Sequence, residues 1–253
     1  MIDCFIAIDS GMGRIGYRIE TPLEKEFART EIEEIDELEG LRINGMVSHF
    51  ATSDEADSTY TNKQLSLFND FYEELAGCGI NVPMLCIANS AAIMDYPKTH
   101  FDAVRPGIIL YGCYPSEEVD KTRLDLKPVM SVKAYIIHIK TVPAGTSISY
   151  GRRFIADRES KIATISIGYA DGYSRTLTGK AEVLVHGHRV PVVGSICMDQ
   201  CMIDVTDVPG AAAGDEVVIM GRSGDDEISA EEIAGKIGTI NYEVLCDFGM
   251  RLH

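Results

Sequence analysis

The chain has no tryptophan, only 9 prolines in 253 residues, and 23 basic residues against 39 acidic ones. The resulting formal charge of −16 argues against a nucleic-acid partner, since gripping a phosphate backbone needs a basic footprint. No run approaches the roughly 18 uninterrupted apolar residues of a membrane helix, and the opening MIDCFIAIDS has no basic leader segment. Neither a membrane span nor secretion is expected. The cysteines at 4, 78, 86, 113, 197, 201 and 246 form no CxxC pair, which indicates neither a disulfide frame nor a zinc site, and no metal is expected. Most lie in apolar runs such as MLCIA and VLCDF, as free buried thiols do, which fits a reducing, cytoplasmic setting.

What is present is ordinary for a packed protein: 45% hydrophobic and 25% charged residues, in a length that suits one large domain or two modest ones. The acids are unevenly placed. Residues 1–120 hold 22 acids and 8 bases, and the remainder holds 17 and 15. The shift coincides with the polar stretch YPSEEVDKTRLDLKP, which reads as a linker and divides the chain into 1–122 and 123–253.

The first part alternates strands and helices. Residues 2–8 are an apolar run suited to a buried strand. Thr21-Pro22-Leu23-Glu24 then supplies a capping box with proline at the first helical position, followed by an apolar stripe of Phe27, Ile32, Ile35 and Leu38. A strand over 41–48, a helix carrying Leu65, Phe68, Tyr72 and Leu75, a strand over 82–88, a short helix after Asn89-Ser90, and a fourth strand over 107–112 complete the pattern. Strands joined by helical crossovers make a parallel sheet, and such sheets gather chemistry past the C-terminal ends of their strands. Asp9 to Arg14, His49 and Asn89-Ser90 fall at those places. Four such units amount to half of a (β/α)8 barrel.

The second part is β-rich, with short β-branched runs broken by glycine and proline and a hairpin tip at Val185-His186-Gly187-His188. One helix near the end is capped by Ser229-Ala230-Glu231-Glu232. The expected fold class is therefore α/β, the C-terminal half of a (β/α)8 TIM-like barrel, followed by a mainly-β domain.

Gly11-Met12-Gly13-Arg14-Ile15-Gly16 has the GxGxxG spacing of a dinucleotide loop, but such a loop must open a helix at once, and the helix signal here starts at Thr21. His186 and His188 flank a glycine in a turn, the setting of a solvated loop more than of a metal site. His49 follows a buried strand at the functional rim and reads equally as a packed or a site histidine. Tyr150, Tyr169 and Tyr242 stand beside glycine or polar neighbours, where packing with a satisfied hydroxyl is the plain alternative.

Taken together, IDSGMGRIGY, SHFATSDE, IANSAA, VRPGIILYG, ISYGRRF, SIGYADGYSR, VGSICMDQCMIDVT and TINYEV resemble the alanine racemase family, in the family's order and across essentially the whole chain. The resemblance implies an isomerase that uses pyridoxal 5′-phosphate (PLP) to interconvert L- and D-alanine, a peptidoglycan precursor, through a lysine and a tyrosine acting on opposite faces. Tyr150 matches the tyrosine base, His49 the histidine that hydrogen-bonds it, and Arg105 the arginine at the pyridine nitrogen. Ser90, Gly107, Ile108 and Tyr242 match phosphate-binding positions. Arg14, the backbone at Met198 and nearby Asn89 match substrate-carboxylate contacts, while Tyr169, Arg175 and Asp54 match the entrance. The family forms head-to-tail homodimers in which the β-domain of one subunit reaches the barrel of the other.

Three departures stand out. The family's cofactor-binding lysine lies in a Lys-x-Asn-Ala-Tyr-Gly setting that this sequence does not contain. Ala7 stands where many members have a lysine, and Ser195 where many have an arginine. The expectation is an alanine racemase site, with serine as the rival substrate, that is inactive in this chain alone. The alternatives are one part of a split enzyme and a non-catalytic assembly fragment.

Overall fold

Ile2–Asp9 forms β1, which buries Ile6 and Ile8. It is followed by the two-residue β2 (Tyr17–Arg18) and by helix α1 (Pro22–Asp36). The capping box forms as predicted: Glu24 N–H donates to Thr21 Oγ1 at 3.3 Å, and Thr21 N–H donates to Glu24 Oε2 at 3.0 Å. The stripe on α1 is narrower than predicted. Ala28 and Ile32 are buried and Ile35 packs on them, whereas Phe27 and Leu38 stay exposed, with Phe27 against Tyr17 on the outer side. The computed structural model describes residues 1–249 and divides into two units, Met1–Lys127 and Pro128–His253.

Strand β3 (Leu41–Val47) pairs in parallel with β1 from Ile2↔Leu41 to Ala7↔Val47. Helix α2 (Thr59–Gly77) buries Leu65, Phe68, Phe71 and Leu75. Strand β4 (Leu85–Cys86) is only two residues long, not the predicted 82–88; on its N-terminal side Pro83 has no N–H to give a ladder. It lies beside the end of β3, with Val47 opposite Cys86. The sheet order is β2-β1-β3-β4, all parallel. Helix α3 (Ser90–Asp95) follows, with Asn89 as its N-cap.

The predicted fourth strand over 107–112 is not a strand. Ile108–Tyr111 is a 3-10 helix, and the preceding segment adds no strand to the sheet, forming an isolated bridge between Cys86 and Ala103. The apolar run misleads because its hydrogen bonds close locally: Gly107 N–H turns to Ser90 Oγ, Leu110 N–H to Gly107 O and Gly112 N–H to Ile109 O. Of the four helical residues only Ile108 is buried.

In the second unit the strands are β5 (Val132–Val142), β6 (Ser147–Ile148), β7 (Phe154–Ile155), β8 (Ser160–Ile165), β9 (Glu182–Val185), β10 (His188–Val193), β11 (Cys201–Asp204), β12 (Glu216–Ser223) and β13 (Asp226–Ile228). The antiparallel order β13-β12-β5-β8-β11-β10-β9 gains a pairing of β12 with β9, which closes six strands into a barrel. The strands show two burial patterns. β5 alternates, burying Val132, Ala134 and Ile136 between exposed neighbours, whereas β9 buries Val183, Leu184 and Val185 in succession, as a strand covered on both faces does. His186-Gly187 turns the β9–β10 hairpin as predicted. Two helices rather than one end the described chain, α4 (Ala230–Ile237) capped by Ser229 and α5 (Asn241–Asp247).

Candidate functional site

Parallel strands leave their C-terminal ends on one side, and three predicted site residues meet there. The Asp9 carboxylate, nearly fully buried at the end of β1, accepts from Gly11 N–H at 3.0 Å and Gly13 N–H at 2.9 Å. Those two bonds fold residues 10–13 back on the strand and carry the chain into Arg14. Tyr60 Oη donates to Gly11 O at 2.9 Å, so α2 braces the same turn. A cavity of about 150 Å³ opens beside it, lined by Ala7, Met12, Arg14, Ser48, His49 and Arg105 among others.

Arg105 reaches this cavity because its backbone is fixed by its N–H bond to Ala88 O at 2.9 Å. Its guanidinium spans the ends of β3 and β4. Nη2 donates to Ser48 O at 2.5 Å and pairs with His49 Nδ1 at 3.1 Å, while Nη1 donates to Cys86 O at 3.0 Å and Cys86 Sγ at 2.9 Å. Burial, together with the Arg105 and Arg14 cations, holds the His49 pKa below its ordinary value of 6.5. A neutral imidazole whose Nδ1 accepts from Arg105 carries its proton on Nε2, which is then the available donor.

Beside this group, Ser90 at the start of α3 accepts at Oγ from Gly107 N–H at 2.8 Å. Gly107 immediately precedes the 3-10 helix that begins at Ile108, whose first N–H groups have no intrahelical acceptor. Asn89 is committed on one side: Oδ1 accepts from Ser53 Oγ at 2.8 Å and from Ala92 N–H at 3.0 Å. Asp54 lies outside the Arg14–His49–Arg105 cavity, and its carbonyl accepts from Ser116 Oγ at 2.5 Å.

The second unit has its own concavity of about 720 Å³, and four more predicted residues line it: Tyr150, Tyr169, Arg175 and Met198. Tyr150 is 74% exposed, on a backbone that is unusual on both sides. Ser149 has φ 66°, Gly151 φ 72° and Arg152 φ 51°. Non-glycine residues persist at positive φ only where the surroundings hold them. Here two serines do so reciprocally: Ser149 Oγ donates to Ser195 O at 2.7 Å, and Ser195 Oγ donates to Tyr150 O at 2.9 Å. Gly194 completes the clamp, since a Cβ on it would lie 2.7 Å from Ser149 Cβ. Tyr169 is placed by N–H bonds from Tyr169 to Cys197 O (3.0 Å) and from Ala170 to Met198 O (2.9 Å). These require Gly168, where any Cβ would collide with the Cys197 and Met198 carbonyls. Tyr242 lies in α5, away from the residues lining this concavity.

Asp9 was placed at the strand-end rim from sequence, but Cys86, Ser149 and the clamping role of Ser195 were not singled out as site supports. A buried cysteine in an apolar run and serines in loops carry no local signal of the partners they meet in space, whereas Asp9, an acid ending an apolar strand before two glycines, does. Among the described residues no group of three or more His, Cys, Asp or Glu side chains could hold a metal, and no helix is long and apolar enough to cross a membrane.

Sequence profiles described as "Alanine racemase, N-terminal domain" and "Alanine racemase, C-terminal domain" match residues 1–115 and 129–253. The chain is similar to alanine racemase 1 of Clostridium acetobutylicum, 53% identical over 247 residues that cover 98% of this chain and 63% of that protein. It is likewise similar to the alanine racemase of Methanococcus maripaludis, at 49% identity over 98% of this chain and 65% of that protein. Among solved structures it is similar to the Clostridium difficile alanine racemase, with a TM-score of 0.91 and 42% identity, covering 98% of this chain and 63% of that one. The Bacillus anthracis alanine racemase with bound L-Ala-P gives a TM-score of 0.90 and 39% identity over 99% and 63%. The chain thus spans less than two thirds of the length of these relatives.

Proposed function

Because the chain belongs to the alanine racemase family, we propose that it supplies the cofactor-holding residues and the tyrosine base of a PLP-dependent racemase site for alanine. The observation that carries this reading is the convergence of Arg14, His49 and Arg105 on one cavity at the ends of parallel strands. The donor set suits the group. The Arg105 guanidinium, fixed by its hydrogen bonds, would suit a ring nitrogen, and the Ser90 hydroxyl with the N–H groups opening the 3-10 helix would suit a phosphate. When bound, PLP supplies an electron sink that makes the substrate's Cα proton removable.

In this reading Arg105 keeps the pyridine nitrogen unprotonated by its permanent charge. Ser90, Gly107, Ile108 and Tyr242 hold the phosphate. Arg14 and Met198 N–H bind the substrate carboxylate, the Met198 carbonyl being engaged by Ala170. Asn89 contributes through Nδ2, since its Oδ1 is committed. Tyr150 moves the proton at Cα, and His49 donates to its phenolic oxygen through Nε2–H, which stabilises the ionised base. Tyr169, Arg175 and Asp54 border the entrance. The site is completed between two copies of the chain in a head-to-tail homodimer. Seven cysteines without a disulfide support a reducing, cytoplasmic setting.

The second base is a lysine in the family's Lys-x-Asn-Ala-Tyr-Gly setting, which this sequence does not contain, so the chain alone binds PLP without racemising alanine. Equilibrium dialysis with PLP tests the reading. Arg105→Leu and Ser90→Ala are each expected to weaken binding about tenfold or more, the loss of a hydrogen bond to a charged group. Adding a separately expressed family segment that carries the lysine should restore conversion of L-alanine. Variants that bind PLP as well as the parent chain would overturn the assignment.

A further inference from the structure

Of the four acceptors that the Arg105 guanidinium meets, two belong to Cys86, a buried residue outside the lining of the cavity. Cys86 ends β4 and sits in register with Val47, the residue just before Ser48 and His49. Its position is therefore tied by the sheet to the segment that carries the imidazole. Arg105 is tied to the segment that continues from Cys86, through its own N–H bond to Ala88 O two residues further on. A guanidinium is planar, so anchoring Nη1 dictates where the Nη2 hydrogens point. A thiol is a weak acceptor, but a cationic donor strengthens the bond.

We propose that Cys86 is a positioning residue for the Arg105–His49 pair: its sulfur and carbonyl anchor Nη1, which turns Nη2 onto His49 Nδ1 and confines the imidazole proton to Nε2. Without the sulfur, Nη2 can satisfy itself on Ser48 O alone and leave the imidazole free to exchange tautomers. The consequence for catalysis rests on the racemase reading above, because only there does Nε2–H meet a tyrosine base. The geometric claim does not. The charged groups bordering the imidazole are Arg14 from the loop after β1 and Arg105 itself.

The test is nitrogen-15 NMR of the His49 ring in the full chain without cofactor, its signal among the six histidines identified by His49→Gln. The parent chain should show the Nε2–H tautomer. Cys86→Ala should mix in the Nδ1–H tautomer and raise the titration midpoint by about half a pH unit, a roughly threefold gain in proton affinity as the cation loosens. Cys86→Ser, which keeps an acceptor, should restore the parent signal, and Arg105→Lys should shift it as Cys86→Ala does. If the alanine variant does not fold, Cys86→Val fills the volume without an acceptor and takes its place. Folded variants with the parent tautomer and midpoint, or a serine variant that behaves like alanine, would overturn the proposal. A chain that fails to bind PLP yet gives this pattern would refute the cofactor reading and keep the positioning role.

Discussion

His49 lies half-buried with two arginines for neighbours, and this sets how protons act on the first unit. Its folded pKa is lowered from 6.5, so near and below that pH the unfolded chain binds more protons than the folded one. Its contribution to stability is intact above about pH 6.5 and is lost as pH falls through the lower folded value. In urea titrations at a series of pH values, the gap between the parent chain and His49→Gln should shrink or invert on acidification, whatever the many carboxylates add to both. A gap independent of pH would show that the imidazole is not held neutral. At this scale the sequence was informative where position after a strand is the signal: Arg14 and His49 were found that way, and they do share a cavity. It was silent where a role depends on a partner distant in the chain. Cys86 meets Arg105 across 19 positions, and Ser149 meets Ser195 across 46, with nothing in either local run to announce it.

Elements were legible in proportion to how local their causes are. The α1 cap is written in four consecutive residues, and both of its hydrogen bonds form. Thr21→Ala should lower stability by about 1 kcal/mol, the usual loss for an N-cap hydroxyl, measured by urea denaturation followed by circular dichroism. Since α1 brings no side chain to the cavity, the His49 ring signals should stay in place; a shift in them would mean that the helix start and the site are coupled. Of the barrel strands, β5, β8, β9, β10 and β12 lie in runs legible as β-rich, since β-branched runs between glycines have few alternatives, whereas β11 does not. The failures were apolar runs whose conformation is decided by single donors. Pro83 offers no ladder N–H on the N-terminal side of β4, and Gly107 N–H leaves for Ser90, after which the GIILYG run closes on itself as a 3-10 turn. Apolar character alone specifies neither strand pairing nor, in GIILYG, burial, since only Ile108 of its 3-10 helix is buried.

For the whole molecule, the homodimer proposal must be told apart from a second kind of self-association. The sheet of the first unit presents β1 with exposed Ile2 and Phe5, and exposed Ile15, Leu23 and Phe27 lie close by in sequence or on α1. β2 pairs with β1 only at Ile8 and Asp9, and a strand left uncovered on one side with apolar flanks invites edge-to-edge pairing, which need not stop at two copies. The second unit differs: its main sheet closes into a barrel, and Tyr150, Tyr169 and Met198 stand exposed at the concavity. Reciprocal exchange of that concavity with the first-unit cavity of another copy closes at two, and the homodimer proposal requires this. Sedimentation equilibrium should then give a discrete species of twice the 27.7 kDa chain mass, unchanged over a concentration series up to about 100 µM. Masses that climb with concentration would favour pairing at β1, and a single-chain mass throughout would leave each cavity to be completed without a second copy. Tyr150→Arg places a charge in the concavity and leaves β1 untouched, so it should dissolve the dimer but not edge-driven growth.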